Sequence, residues 1–151
     1  MYTPSPLQSL DLDTMMSFVS TVLAEMNLGL LIYHLEDPED PLSLRLIYAN
    51  AKASEYTGSD LAPLTGLTIA EAFPPLAATD LPDIYADVAR GGHSRNLGTF
   101  EYPGDGRIEH SYYAVRAFPM PAHCVGIVFE NITLRKQLEA LIRKERQPGS
   151  S

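Results

Sequence analysis

Residues 46–74 read LIYANAKASEYTGSDLAPLTGLTIAEAFP. The apolar run Leu46-Ile47-Tyr48 has the composition of a strand, and it meets Asn50 without a spacer. From Asn50 to Phe73 the pattern changes to short helical pieces, punctuated by Gly58, Pro63 and Gly66 and stopped at Phe73-Pro74. A strand that turns sharply into a helix leaves first-turn backbone N–H groups without partners. Asn50 stands at that bend. Its carbonyl can accept from one such N–H while its amide donates across the corner, so a structural latch is expected there. Gly58 and Gly66 permit the positive-φ turns that separate the helical pieces.

Upstream, Leu44 to Ala49 is expected to pair with a strand from Leu28 to Leu35 as a hairpin. Its long tip, Glu36-Asp37-Pro38-Glu39-Asp40-Pro41, is acidic and holds two prolines. The tip lacks the Asp/Asn alternation, central Gly and terminal Glu of a calcium loop, so it reads as a solvated connection. Before it, Leu12, Met16, Val19, Leu23 and Met26 fall at spacings of 4, 3, 4 and 3. This heptad seam predicts a helix from Asp11 to Asn27, widened by Met15 and Val22. Residues 1–8, with Pro4 and Pro6, are expected to be irregular.

Downstream, Asp80 to Arg90 predicts a helix with Leu81, Ile84, Tyr85 and Val88 on one side and Gly91-Gly92 as its stop. Three strands are expected next: Arg95 to Tyr102, Arg107 to Phe118, and Cys124 to Glu130. Pro103-Gly104-Asp105-Gly106 reads as a hairpin turn between the first two. A last helix from Ile132 to Arg146 carries Leu134, Leu138 and Leu141 at spacings of 4 and 3, and Gln147 to Ser151 reads as a disordered end. Strands at both ends of a helical middle predict an α+β fold, an antiparallel sheet with helices on one face.

This order resembles the PAS domain: two strands, a helical crossover, then three strands closing a five-stranded antiparallel sheet. The resemblance spans roughly Val22 to Arg146. Tyr48-Ala49-Asn50 resembles the family's strand-to-helix corner, Thr57-Gly58 and Gly66 its helix-turn positions, and Ala72-Phe73-Pro74 the end of its central short helix. Tyr102 to Arg107 resembles the hairpin between its third and fourth strands. Glu130-Asn131-Ile132-Thr133 resembles its Asp-Ile-Thr output junction, with Asn131 where the family usually has Asp. Asn keeps the acceptor that caps a helix but loses the charge, so any ion pair at that hinge is absent or moved to Glu130. The resemblance implies three parts: a flanking dimerisation helix (1–27), the core (28–131), and a signalling helix with tail (132–151). It also implies a non-catalytic sensory module in signal transduction, of the kind found in histidine kinases of two-component systems and in cyclic-dinucleotide enzymes. Such a module works as a homodimer and passes its signal through the C-terminal helix to an output domain. The alternative is a ligand-free scaffold for protein contacts. Asn50, Gly58, Gly66, Glu130, Asn131 and Thr133 then carry structure and relay, and Leu12, Met16, Val19, Leu23 and Met26 the dimer contact.

The resemblance implies a cleft between the sheet and the crossover. Tyr112 and Tyr113 point to opposite sheet faces, so one of them looks into the cleft. If it is Tyr113, then Val115 accompanies it, with Phe73, Ile84, Val88 and Leu97 completing the wall. The occupant is not identified by the sequence. Haem is disfavoured: the expected crossover helix holds no histidine, His93 follows it in a loop, and His34, His110 and His123 show no metal-ligand spacing. Covalent flavin chemistry is disfavoured because residues 50–75 hold no cysteine; Cys124, the only one, reads as a small buried hydrophobe. A noncovalent small molecule stays open. No nucleophile elbow is present and the histidines fall on unrelated elements, so no enzyme is expected.

Composition agrees. A 45% hydrophobic fraction supports a folded core across 151 residues, which is one domain with extensions. The net charge of −8, from 11 basic and 19 acidic residues, argues against nucleic acid or an anionic membrane as partner. The charge is uneven: residues 132–151 carry five basic against two acidic side chains, net +3, which leaves −11 on the rest. No apolar run approaches the roughly 18 residues of a membrane span, and no secretory signal is visible, so a reducing cytoplasmic location is expected.

Overall fold

The computed structural model describes residues 11–145. The irregular start expected over residues 1–8 and the tail from Gln147 lie outside them. So does the side chain of Leu12, although its backbone opens the first helix.

Helix α1 (Leu12–Glu25) begins where Asp11 accepts from the Thr14 N–H at 2.7 Å. Strands β1 (Gly29–Leu35) and β2 (Leu44–Ala49) form the expected hairpin, and Glu36 and Arg45 close its base with an ion pair at 2.5 Å. In the acidic tip, Asp37 accepts from the Glu39 N–H and Asp40 from the Leu42 N–H, so these carboxylates serve the loop itself. The crossover contains α2 (Ala51–Thr57), α3 (Ile69–Ala72) and α4 (Leu81–Ala89), linked by 3-10 turns at Ala62–Leu64 and Pro74–Ala78. Gly58 ends α2 at φ 72°, and Gly66 turns the chain at φ 92°, as the two glycines require. Strands β3 (Arg95–Tyr102), β4 (Ser111–Met120) and β5 (Cys124–Asn131) follow, then α5 (Thr133–Glu145). The strands make one antiparallel sheet in the order β2-β1-β5-β4-β3, the α+β architecture expected.

Alternation sorts the sheet faces. Leu31, Tyr33 and Leu35 of β1, Val125, Ile127 and Phe129 of β5, and Tyr113, Val115 and Ala117 of β4 share the core with the crossover helices. Leu30 and Ile32, on the opposite face, are also buried. That side carries Phe118, whose ring leaves no room for a side chain at Gly126, the cross-strand partner of Ile32. It also meets α1, where the Ser20 and Tyr48 hydroxyls hydrogen-bond.

Two expectations are corrected. The β3–β4 connection is not a tight turn at residues 103–106 followed by strand from Arg107; it is an eight-residue loop, and β4 starts at Ser111. The reason is Asp105. Its carboxylate accepts from the Arg107 and Ile108 N–H groups and from the Tyr102 hydroxyl, so the chain wraps round it and drives Ile108 into the core. Burial raises the Asp105 pKa, but these hydrogen bonds outweigh it and hold the carboxyl below the usual aspartate range. Cys124 is half-buried, not fully buried, because it faces away from the core at the start of β5.

Candidate functional site: an apolar cavity beside the chain exit

Between the sheet and the crossover lies a cavity of about 60 Å³. Its floor is Leu31, Ile127, Phe129, Tyr113 and Val115; its roof is Phe73, Leu76, Leu81 and Tyr85; its rim is Thr57, Phe100, Tyr102 and Ile108. Of the residues the sequence proposed for the wall, Phe73, Tyr113 and Val115 line this space. Ile84, Val88 and Leu97 do not line the space. On α4 the lining pair is Leu81 and Tyr85, spaced i, i+4; Val88 continues their stripe one turn further along and is buried in the core beyond the opening, and Ile84 lies beside the stripe and is half-buried. Leu97 sits in the β3 bulge, where the register with β4 shifts between Asn96 and Gly98, and this removes it from the inward alternation. Leu76, Tyr85, Tyr102 and Ile108 were not foreseen as lining residues.

The polar side chains lining the cavity are Tyr85, Tyr102, Tyr113 and Thr57. Tyr33 lies outside the lining, fully buried and stacked on Tyr85 with their rings 6.0 Å apart. Among the described residues the hydroxyls of Tyr33 and Tyr113 meet no hydrogen-bond partner, and a hydroxyl left so costs on the order of 1–3 kcal/mol. The Tyr102 hydroxyl donates to Asp105 at 2.5 Å, and the Thr57 hydroxyl to the Ala53 carbonyl at 3.0 Å. Burial raises the pKa of Tyr33, Tyr85, Tyr102 and Tyr113, so each presents a neutral O–H. No histidine lines the cavity: His34 is half-buried on β1, His93 and His123 are exposed, and His110 pairs with Glu101 at 2.6 Å on the surface. Among the described residues no cluster of three His, Cys, Asp or Glu side chains could hold a metal.

Asn50 is the latch. Its side-chain oxygen accepts from the Leu30 N–H at 3.0 Å and the Ala53 N–H at 2.8 Å, and its amide donates to the Leu28 carbonyl at 3.2 Å. Both N–H groups can only donate and the carbonyl can only accept, so this orientation is the one the partners allow. It is 2% exposed.

The exit from β5 repeats that chemistry. The Asn131 side-chain oxygen accepts from the Thr133 N–H at 3.0 Å and the Thr133 hydroxyl at 2.6 Å. Thr133 in turn accepts from the Tyr112 N–H at 3.0 Å, and the Ile132 N–H donates to the Tyr112 carbonyl at 2.8 Å, which straps the junction to the start of β4. The Asn131 amide donates to the Tyr56 carbonyl in α2 at 2.9 Å. Glu130 is half-buried and joins none of the ion pairs among the described residues, so the missing aspartate charge is not replaced there. Tyr56 was missed by sequence reasoning. Its hydroxyl donates to the Asn27 carbonyl at 2.6 Å, and its ring lies 6.3 Å from that of Phe129.

On α1, Met16 and Leu23 are half-buried, whereas Met15, Phe18, Val19, Val22 and the C-cap Met26 are exposed. Leu134, Leu138, Leu141 and Ile142 are exposed along α5. Among the described residues no helix is long and apolar enough to cross a membrane.

The sequence model of one family, described as PAS fold, matches residues 42–137. No curated protein matches the chain. Among solved structures, a domain of an HTR-like protein from Haloarcula marismortui is 14% identical with a TM-score of 0.51, over 71% of this chain and 99% of that one. An RNA-binding light-oxygen-voltage receptor is 14% identical with a TM-score of 0.58; the match covers 97% of this chain and 42% of the receptor. A sensory box sensor histidine kinase from Vibrio cholerae is 17% identical with a TM-score of 0.50, over 80% of this chain and 94% of that one. At these identities the structural likeness establishes the fold alone.

Proposed function

The chain belongs to the PAS-fold family, and on that premise we propose that it is a non-catalytic, cytoplasmic sensory module of a signalling protein, which feels the state of its cavity and relays it through α5 to an output domain. One observation carries the reading. Phe129 walls the cavity, and two residues later Asn131 caps α5. A shift of the cavity floor therefore reaches the helix entry along a single strand, without an intervening loop. A coupling of about 1–3 kcal/mol moves such a two-state element.

The chemistry of the wall selects the occupant. It offers apolar surface and neutral hydroxyls with no cation, so a charged ligand would lose its hydration uncompensated. A small neutral molecule with one hydrogen-bonding atom for Tyr113 is what the wall suits. The module works as a homodimer in this proposal. Leu134, Leu138 and Leu141 follow the heptad spacing that a second copy of the same helix satisfies, and α1 offers a further stripe through Phe18, Val22 and Met26.

The ligand-free scaffold is a second reading, favoured by the cavity's size. About 60 Å³ is roughly the liquid volume of two waters and lies far below the roughly 300 Å³ or more of a drug-sized site. Native mass spectrometry of the purified chain decides. A dimer with a bound small mass supports sensing, a dimer with none supports the scaffold, and a monomer contradicts both. Phe18→Glu with Val22→Glu should convert the dimer to monomers in ultracentrifugation.

A further inference from the structure

Asn131 makes two bonds that no aspartate could make together. Its oxygen accepts at the start of α5, and its amide donates to the carbonyl of Tyr56. That carbonyl belongs to the last turn of α2, where the helix itself supplies no donor. A carboxylate at position 131 would keep the cap on Thr133 but would set oxygen against oxygen at Tyr56. The same tyrosine reaches the other flank, because its hydroxyl donates to the Asn27 carbonyl at the exit of α1. Its neighbour Thr57 lines the cavity. One turn of α2 thus touches the cavity, the end of the N-terminal helix and the start of the C-terminal helix.

We propose that Tyr56 and Asn131 form a clasp through which α2 positions both flanking helices together, so that the asparagine is required here and is not a weakened version of the aspartate. This rests on the relay reading above and assigns it a route: the roof of the cavity, through the Thr57 turn, acts beside the strand. Tyr56 and Asn131 are positioning residues. Neither lines the cavity, so whatever they transmit passes through Thr57 and Phe129.

The test is amide hydrogen exchange on the whole chain with Asn131→Asp. The clasp predicts that exchange speeds by about tenfold or more in three places: the first turn of α5 (133–136), the last turn of α2 (57–59) and the exit of α1 (27–28). Because the aspartate keeps the bond to Thr133, a residue that merely caps α5 would leave exchange as in the wild type at all three, and that result overturns the proposal, as does a change confined to α5. Should Asn131→Asp unfold, Tyr56→Phe answers instead. It removes only the bond to Asn27, and the clasp predicts faster exchange in the first turn of α5, some 75 residues away along the chain; unchanged exchange there overturns it. No ligand or output domain enters the measurement, so its failure leaves the sensor reading standing, and failure of that reading leaves the clasp measurable.

Discussion

Two asparagines end two strands of this sheet and start two helices, with the same division of labour between oxygen and amide. Asn50 leaves β2 and Asn131 leaves β5. They differ in depth and in what they join. Asn50 is buried and ties its corner to Leu30 of β1 and to Leu28 just before that strand. Asn131 is half-buried and ties its corner to α2, a separate element. Burial makes each unmet polar group costly, so the inner corner has one arrangement. Water can replace the partners of the outer corner at modest cost, so it can exchange partners. The same residue type is thus a buried latch within one hairpin in the first place and a half-buried link between separate elements in the second.

Removing the latch is the strongest challenge to that contrast. Asn50→Ala strands the Leu30 N–H and the Leu28 carbonyl and leaves the Ala53 N–H only its 3.1 Å bond to the backbone carbonyl of residue 50, and it should cost about 3 kcal/mol in urea denaturation, with a fall of roughly 10 °C in Tm. A loss below that of Asn131→Ala would reverse the proposed ranking. Asp105 is an intermediate case, a half-buried anchor for an eight-residue loop. Asp105→Ala should cost about 1–2 kcal/mol by the same measurement. Its folded pKa lies below the ordinary aspartate value, so its stabilisation is complete above pH 4–5 and is lost as pH falls through the folded pKa. Asp105→Asn should flatten that acid limb; an unchanged limb would remove Asp105 from the account. Asn131→Ala should cost about 1 kcal/mol, the usual worth of a helix cap. Tyr113→Phe is the smallest effect. It deletes a hydroxyl that has no partner and should leave stability within about 0.5 kcal/mol or raise it. A loss above 1 kcal/mol would mean the hydroxyl has a partner, either the Ser111 side chain or an occupant of the cavity.

The two corners were not equally legible. Asn50 could be placed because strand, corner and helix follow one another within a few residues, and the change from period 2 to helical spacing marks the bend. The acceptor side of Asn131 was legible for the same reason. Its donor side was not, since Tyr56 lies 75 residues away and nothing local announces the contact. The five-stranded antiparallel sheet followed from the resemblance as a whole, whereas the wall of the cavity did not follow from periodicity. Helical spacing gives the apolar face of α4 but not the angle at which it crosses the sheet, so Ile84 and Val88 were chosen over Leu81 and Tyr85. The turn chemistry of Pro103-Gly104-Asp105-Gly106 concealed a loop built on one carboxylate, and a bulge at Gly98 moved Leu97 off the wall.

The central claim is that the content of the cavity is felt where the chain leaves it. Spin labels on Gln137→Cys in a Cys124→Ser background report the separation of the two α5 helices by pulsed electron spin resonance. Val115→Ile adds one methylene to the cavity wall and mimics an occupant without naming one. The account predicts that the distance distribution between labels shifts with the added methylene. Superimposable distributions, or labels with no partner within range, would contradict it.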